Sequence, residues 1–150
     1  SVRCVLETVI YAGSSSKHHN LYGSPYAWSK YGGEELCKLY SEVYDLNTTI
    51  CRFYNVYGEH MLPADNPYVA VIAIFDKQKL SGEPLSITND GEQRRDFTHA
   101  LDICSGLMAC QGRTDLKAEY FELGSGTNHS INELVELYES DRHEMESDLR

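Results

Sequence analysis

Long apolar runs are missing from this 150-residue chain. No stretch approaches the ~20 residues needed to cross a bilayer, and no basic-then-apolar opening resembles a signal peptide. Basic residues are few, 13 Lys and Arg against 23 Asp and Glu, for a formal net charge of −10. That excess disfavours nucleic acid or an anionic membrane as partner, because both are held through Lys and Arg. It leaves room for a local basic pocket on a small phosphate ligand. Cys4, Cys37, Cys51, Cys104 and Cys110 are an odd number, widely spaced, with no CxxC pair. The pattern is that of buried thiols in a reducing cytoplasm, not of a disulfide framework. There is no GxSxG elbow of the kind serine hydrolases use, no internal repeat and no low-complexity tract. His18-His19 lacks companions at metal-ligand spacing, so no metal site is expected. The chain opens on Ser and enters an apolar run at once, and so reads as part of a longer protein.

What is present is 41% hydrophobic residues, enough for one soluble domain of ordinary size. Ser1 to Glu7 are ambiguous, with Val2, Val5 and Leu6 on one helical face. Thr8 to Ala12 read as a buried strand that stops at Gly13 and three serines. Ser24-Pro25 is a helix start, since Ser can cap and Pro at the first position loses no useful N–H. The helix is expected from Pro25 to Tyr44, with Leu36, Leu39, Tyr40 and Val43 toward the core. Thr48 to Tyr54 form a second strand ending at Asn55-Val56-Tyr57-Gly58. The spacing predicts a helix over Pro67 to Leu80, a short strand over Leu85 to Thr88, a turn at Asn89-Asp90-Gly91 and extended chain over Arg94 to His99. It predicts a further helix over Ala100 to Cys110, with Leu101, Cys104, Leu107 and Met108 on its apolar side, and a last strand at Tyr120 to Leu123. Ser130 and Glu133 fit a capping box opening a helix through about Tyr138, and residues 139–150 read as a solvated, disordered tail. Strand–helix alternation gives an α/β class.

Chemistry concentrates between Ser14 and Lys30. In open α/β sheets ligands sit at the carboxyl ends of strands, and the serine cluster occupies such an end. Tyr26 and Lys30 stand at i and i+4 of the expected helix, on one face. Tyrosine is a poor base at neutral pH, and an ammonium beside it favours the phenolate, which makes the pair an acid/base candidate. By itself such a pair is common on wet helix faces. The strand-end serines upstream and the Pro-started helix give it weight. His99 and Arg94 read as structural or surface groups, and Asn128-His129-Ser130 as a helix cap, not a glycosylation site. Trp28 and Tyr31 read as helix-packing aromatics.

Four stretches occur in a telling order: Tyr11-Ala12-Gly13-Ser14-Ser15-Ser16, Ser24-Pro25-Tyr26-Ala27-Trp28-Ser29-Lys30, Arg52 to Gly58, and Gly91 to His99. With Tyr120 to Gly126 they resemble the extended short-chain dehydrogenase/reductase family, in its NAD-dependent nucleotide-sugar epimerase and dehydratase branch, over about Thr8 to Tyr138. The resemblance implies part of a doubly wound parallel-sheet (Rossmann-like) domain plus part of a small α/β substrate domain. It implies NAD as cofactor, a UDP-sugar as substrate and a homodimer in the full-length enzyme. Tyr26 is then the acid/base, and Lys30 holds the nicotinamide ribose and supports the tyrosine. Ser15, with Ser16 as runner-up, polarises the sugar. Tyr54, Asn55 and Val56 lie beside the nicotinamide and the substrate diphosphate, Leu85 to Ile87 lie near the nucleotide base, and Arg95 contacts the diphosphate. Dehydratases of this branch carry a carboxylate after the catalytic Ser/Thr. Ser15 is followed by Ser16 and Lys17, which favours a UDP-sugar 4-epimerase over a dehydratase and leaves a related oxidoreductase as an alternative. An inactive sugar-nucleotide-binding fragment is the third reading.

The Gly-rich turn that cradles the dinucleotide phosphates in this family has no counterpart in these 150 residues. Titration calorimetry of the 150-residue chain with NAD is therefore expected to show no micromolar binding and no turnover of UDP-sugars. Micromolar affinity would contradict this.

Overall fold

The computed structural model describes residues 8–18, 20–66 and 70–148. The expectations for Ser1 to Glu7, for His19 and for a helix start at Pro67 lie outside them. The chain divides into two compact units, residues 1–54 with 101–124, and residues 55–100 with 125–150.

The first unit is a three-stranded parallel sheet of β1 (Val9–Ser14), β2 (Thr48–Phe53) and β5 (Lys117–Leu123), in the order β1-β2-β5. A 3-10 turn, Ser15–His18, follows β1 directly, and α1 runs Pro25–Tyr44. Every residue of β2 from Thr48 to Arg52 is buried, as expected for a strand covered on both faces. Side chains alternate along it. Thr48 and Arg52 reach α1, where Thr48 Oγ1 donates to Cys37 O at 3.2 Å. Cys51 reaches the other way, its Sγ 3.9 Å from Cys110 Sγ at the end of α3 (Ala100–Cys110). Burial comes first among the causes that push the Cys51 thiol up to about 12, ahead of its thiol neighbour, so it is an inert core group.

α1 begins and ends where the sequence predicts. Ser24 is its N-cap, but no side-chain capping bond forms; the Ser24 carbonyl accepts the Trp28 N–H at 3.1 Å. The buried face is not the one the apolar spacing picks out. Ala27, Glu34, Cys37 and Ser41 are buried, whereas Leu36, Leu39, Tyr40 and Val43 are each about half exposed or more. The reason is close approach. A Cβ on Gly33 would collide with the Tyr11 ring, so only a stripe of small and hydrogen-bonded residues fits against the strands. Ser41 supplies such bonds, donating to Leu46 O at 2.7 Å and lying 2.8 Å from Thr48 Oγ1. α3 shows the same displacement: Ile103 and Cys110 are buried, while Leu101, Cys104 and Met108 are exposed.

The second unit pairs β3 (Asn55–Tyr57) parallel to β4 (Arg94–His99), and β4 antiparallel to β6 (Asn128–Ser130), a strand the sequence does not announce. α2 (Val71–Ser81) and α4 (Ile131–Asp148) supply its core of Ile72, Phe75, Ile131 and Leu134. The capping box forms: Glu133 N–H donates to Ser130 Oγ at 3.0 Å, and Ser130 N–H to Glu133 Oε2 at 3.4 Å. α4 continues past Tyr138 to Asp148. Leu85 to Thr88 do not form a strand. The Ser86 N–H goes to Gln78 Oε1 at 3.0 Å instead of to a ladder. The turn at Asn89 and Gly91 is present, with both at positive φ.

Two neighbouring glycines of α1 give opposite expectations. A Cβ on Gly32 meets nothing within 4 Å, so Gly32→Ala should stabilise by about 0.5–1 kcal/mol through helix propensity. Gly33→Ala should destabilise by about 1–2 kcal/mol, because overpacking against Tyr11 outweighs that gain. Urea unfolding midpoints of the two variants check both signs.

Candidate active site

The first unit gathers one set of predicted residues at the carboxyl end of β1. Lys30 Nζ donates to Ala12 O at 3.0 Å and lies 5.9 Å from the centre of the Tyr26 ring. The two side chains thus share one helix face, as the i, i+4 spacing implies, and the lysine is anchored to the strand that carries Ser14. Tyr26 is 56% exposed. Tyr11 braces the helix by donating its hydroxyl to Lys30 O at 3.3 Å. Burial, then Cys37, Glu34 and Tyr26, push the Tyr11 phenol up, so it stays a neutral brace. In the serine turn, Ser16 N–H donates to Ser14 Oγ at 3.2 Å, and Ser16 Oγ is buried with no partner among the described residues.

Beneath this turn lies a charge network that sequence reasoning missed. Gly13, Arg52 and Glu122 are register partners across β1, β2 and β5. Gly13 has no side chain, and into that space comes Glu34; an added Cβ would stand 2.9 Å from Glu34 Oε1. Arg52 Nε and NH2 each donate to the Glu34 carboxylate at 2.9 Å, and NH1 donates to Glu122 Oε1 at 2.8 Å. The guanidinium also lies 4.2 Å from the centre of the Tyr120 ring. Tyr54 donates its hydroxyl to Glu122 Oε2 at 3.0 Å. Burial pushes the Glu122 carboxyl up, but hydrogen bonds from Arg52 and Tyr54, then the charges of Arg52 and His18, hold it below the usual 4.5. The signal available in the sequence was spacing: Glu34 lies one turn after Lys30.

The second unit brings Asn55 and Arg95 to one cavity of about 320 Å³, together with Ser86, Thr88 and Gln93. Leu85 and Ile87 line a different hollow, and Val56 lines a third with Tyr57 and Gly58. In this segment it is therefore the alternate residues, Ser86 and Thr88, that share the walls of Asn55 and Arg95. A larger hollow of about 580 Å³, walled by Tyr57, Phe97, Leu137 and Tyr138 among others, holds none of the predicted residues. Arg94 is engaged elsewhere, bidentate to Glu133 at 2.7 and 3.2 Å.

Asp96 orders this unit. Its side chain accepts from Ser125 N–H and Ser125 Oγ at 2.8 Å each, from Gly126 N–H at 2.9 Å and from Thr98 Oγ1 at 3.1 Å. Its carbonyl accepts from Asn55 Nδ2 at 3.1 Å, which sets the asparagine amide at the cavity wall.

A parallel βαβ unit with a tyrosine and a lysine on one face of its helix, and a second unit with an arginine-walled cavity, agrees with what known proteins show. Residues 8–124 match the family model described as the NAD dependent epimerase/dehydratase family. The chain belongs to this family. A putative UDP-glucose 4-epimerase of Methanocaldococcus jannaschii is 39% identical over 76% of this chain and 36% of its own length. A UDP-N-acetylglucosamine 4-epimerase from Methanobrevibacter ruminantium, solved with UDP-N-acetylmuramic acid, superposes with a TM-score of 0.79 at 30% identity. It is matched over 87% of this chain and 45% of its own. The Bordetella bronchiseptica enzyme WbmF, solved with NAD+ and UDP, gives 0.78 at 29% identity, over 89% of this chain and 43% of its own. The chain thus spans less than half the length of each of these proteins.

NAD is the cofactor of the family, and the residues present fit its nicotinamide-ribose end. Lys30 has one N–H committed to Ala12 and two more to give, and Tyr26 is more than half exposed.

The four bonds to the Asp96 carboxylate have a measurable consequence. Burial raises its pKa, but hydrogen bonds from Ser125, Gly126 and Thr98 prevail and hold it below 3.8. A carboxyl held below its unfolded value contributes stability above that value and loses it as pH falls through the folded one. Asp96→Asn should cost about 2 kcal/mol at pH 7, since an amide cannot accept from all the donors. Its deficit against the parent should shrink as pH drops below about 3.8, measured by urea unfolding across that range.

Proposed function

We propose that this chain carries the sugar-side half of a nucleotide-sugar 4-epimerase acting on UDP-sugars. The observation that carries the reading is the Tyr26–Lys30 pair, anchored to Ala12 beside the serine turn. Asn55 and Arg95 on one 320 Å³ cavity support it with a site suited to a diphosphate, for which a guanidinium fork is the apt partner. Ser86 and Thr88 add hydroxyls for the nucleotide.

In this reading Tyr26 takes the proton from the sugar O4 hydroxyl while Ser15 donates a hydrogen bond to the same oxygen. Lys30 holds Tyr26 and the ribose hydroxyls in place. NAD, when bound, supplies the hydride acceptor and donor for C4. The 4-keto sugar turns its other face inward and Tyr26 returns the proton; on the second unit, Asn55 and Arg95 are the groups suited to a diphosphate. The protein's contribution is position and proton transfer. The residues after Ser15, Ser16 and Lys17, offer no carboxylate for the C5–C6 proton chemistry of a dehydratase, which favours epimerisation. The exposed stripe of Leu36, Leu39, Tyr40 and Val43 on α1 is apolar surface suited to pairing with a second copy, in line with a homodimer. Among the described residues no helix is long and apolar enough to cross a membrane.

The test uses the protein expressed from its complete reading frame, incubated with NAD and UDP-glucose, UDP-N-acetylglucosamine or UDP-glucuronate. Interconversion of one C4 epimer pair is expected, and Tyr26→Phe should lower kcat by about 100-fold or more. Full activity in that variant would show the acid/base to be another group.

A further inference from the structure

Two separate segments, the turn Ser15–His18 and Tyr54, converge on the Glu122 carboxylate at the end of β5. Its neighbour Arg52 does not require it. Glu34, 1% exposed, already takes two of the guanidinium's donors and neutralises it. A second carboxylate on a half-exposed strand end leaves one negative charge in excess, and an ordinary surface pair of this kind contributes little to stability. What distinguishes Glu122 is how its two oxygens are divided. Oε1, held by Arg52 at 2.8 Å, stands 3.6 Å from His18 Nε2 in the turn Ser15–His18. Oε2 accepts the Tyr54 hydroxyl at 3.0 Å, just past the end of β2. Arg52 holds the carboxylate from below, so one fixed group takes the Tyr54 hydrogen bond and stands within ion-pair, but not hydrogen-bond, distance of His18 in the turn.

We propose that Glu122 is a positioning residue that holds the serine turn and Tyr54 in place at the carboxyl end of the sheet. The role rests on the epimerase reading above, in which Ser15 meets the sugar oxygen, and on the family resemblance, which implies that Tyr54 lies beside the nicotinamide. It reaches the chemistry only through them. Misplacement of such groups by an ångström is enough to slow a reaction without weakening substrate binding.

The experiment compares Glu122→Ala and Glu122→Gln with the parent. In the 150-residue chain, ¹⁵N relaxation reads the order of the Ser15, Ser16 and His18 amides, with thermal unfolding confirming that each variant folds. In the protein from the complete reading frame, kcat and KM are read for the UDP-sugar. In Glu122→Ala the order parameters of the turn should fall from about 0.85 to below about 0.6. In the same variant kcat should fall about tenfold with KM changed less than about twofold. Glu122→Gln keeps an acceptor for Arg52 and a polar partner for Tyr54, and should regain most of both. An unchanged turn in Glu122→Ala, a loosened turn with unchanged kcat, or a Gln variant no better than Ala each overturns the proposal. If the parent itself converts no UDP-sugar, the epimerase reading fails, while the relaxation comparison still decides whether Glu122 holds the turn.

Discussion

The bidentate pair between Arg52 and Glu34 is the contact on which the first unit depends. Two N–H donors meet two carboxylate oxygens at 2.9 Å in a region where Glu34 is all but sealed from water. Removing Arg52 would take both of these donors from the buried Glu34 carboxylate, a loss of about 3–5 kcal/mol. The pair has a geometric effect as well. Glu34 follows Lys30 by four residues and Tyr26 by eight, so the three share one face of α1. Locking Glu34 onto the centre of the sheet fixes the roll of the helix about its axis. The same roll brings Lys30 to Ala12 and holds it over Tyr26. Gly13 and Gly33 make this possible by letting the helix approach the strands more closely than any side chain would allow.

This close approach also explains where sequence reading succeeds and where it fails. The extents of α1, β2, β4 and α3 follow from Pro25, β-branched runs and turn residues, and the capping box at Ser130 and Glu133 forms. The facing of the helices does not follow. Apolar spacing marks Leu36, Leu39, Tyr40 and Val43 as a surface that needs cover, but it does not say against what. The sheet prefers the narrow stripe of Ala27, Gly33, Cys37 and Ser41, whose polar members are satisfied by hydrogen bonds. β6 is three residues long and owes its place to pairing with β4, which no local pattern announces. Leu85 to Thr88 read as a strand because their composition suits one, and the Gln78 side chain takes the backbone bond instead.

The candidate site was legible to a similar degree. Tyr26 with Lys30, and Asn55 with Arg95, are brought together as pairs, because motif spacing encodes a helix face in one case and neighbouring strands in the other. The supporting groups were not legible. Glu122, Arg52 and Asp96 act through register and loop geometry, and they look like ordinary charged residues in the sequence. In the segment 85–88 the alternation of a two-residue period decides the outcome, so that Ser86 and Thr88 share a cavity with Arg95 while Leu85 and Ile87 face another.

The central claim is that this scaffold turns over a sugar at C4 by removing a hydride and returning it to the opposite face. The most direct measurement follows a UDP-sugar carrying deuterium at C4 through the reaction catalysed by the protein from the complete reading frame. The account predicts that the epimeric product retains the deuterium at C4 and gains none from solvent at C4, C5 or C6. Loss of the label to water, or solvent deuterium at C5 or C6, would contradict it.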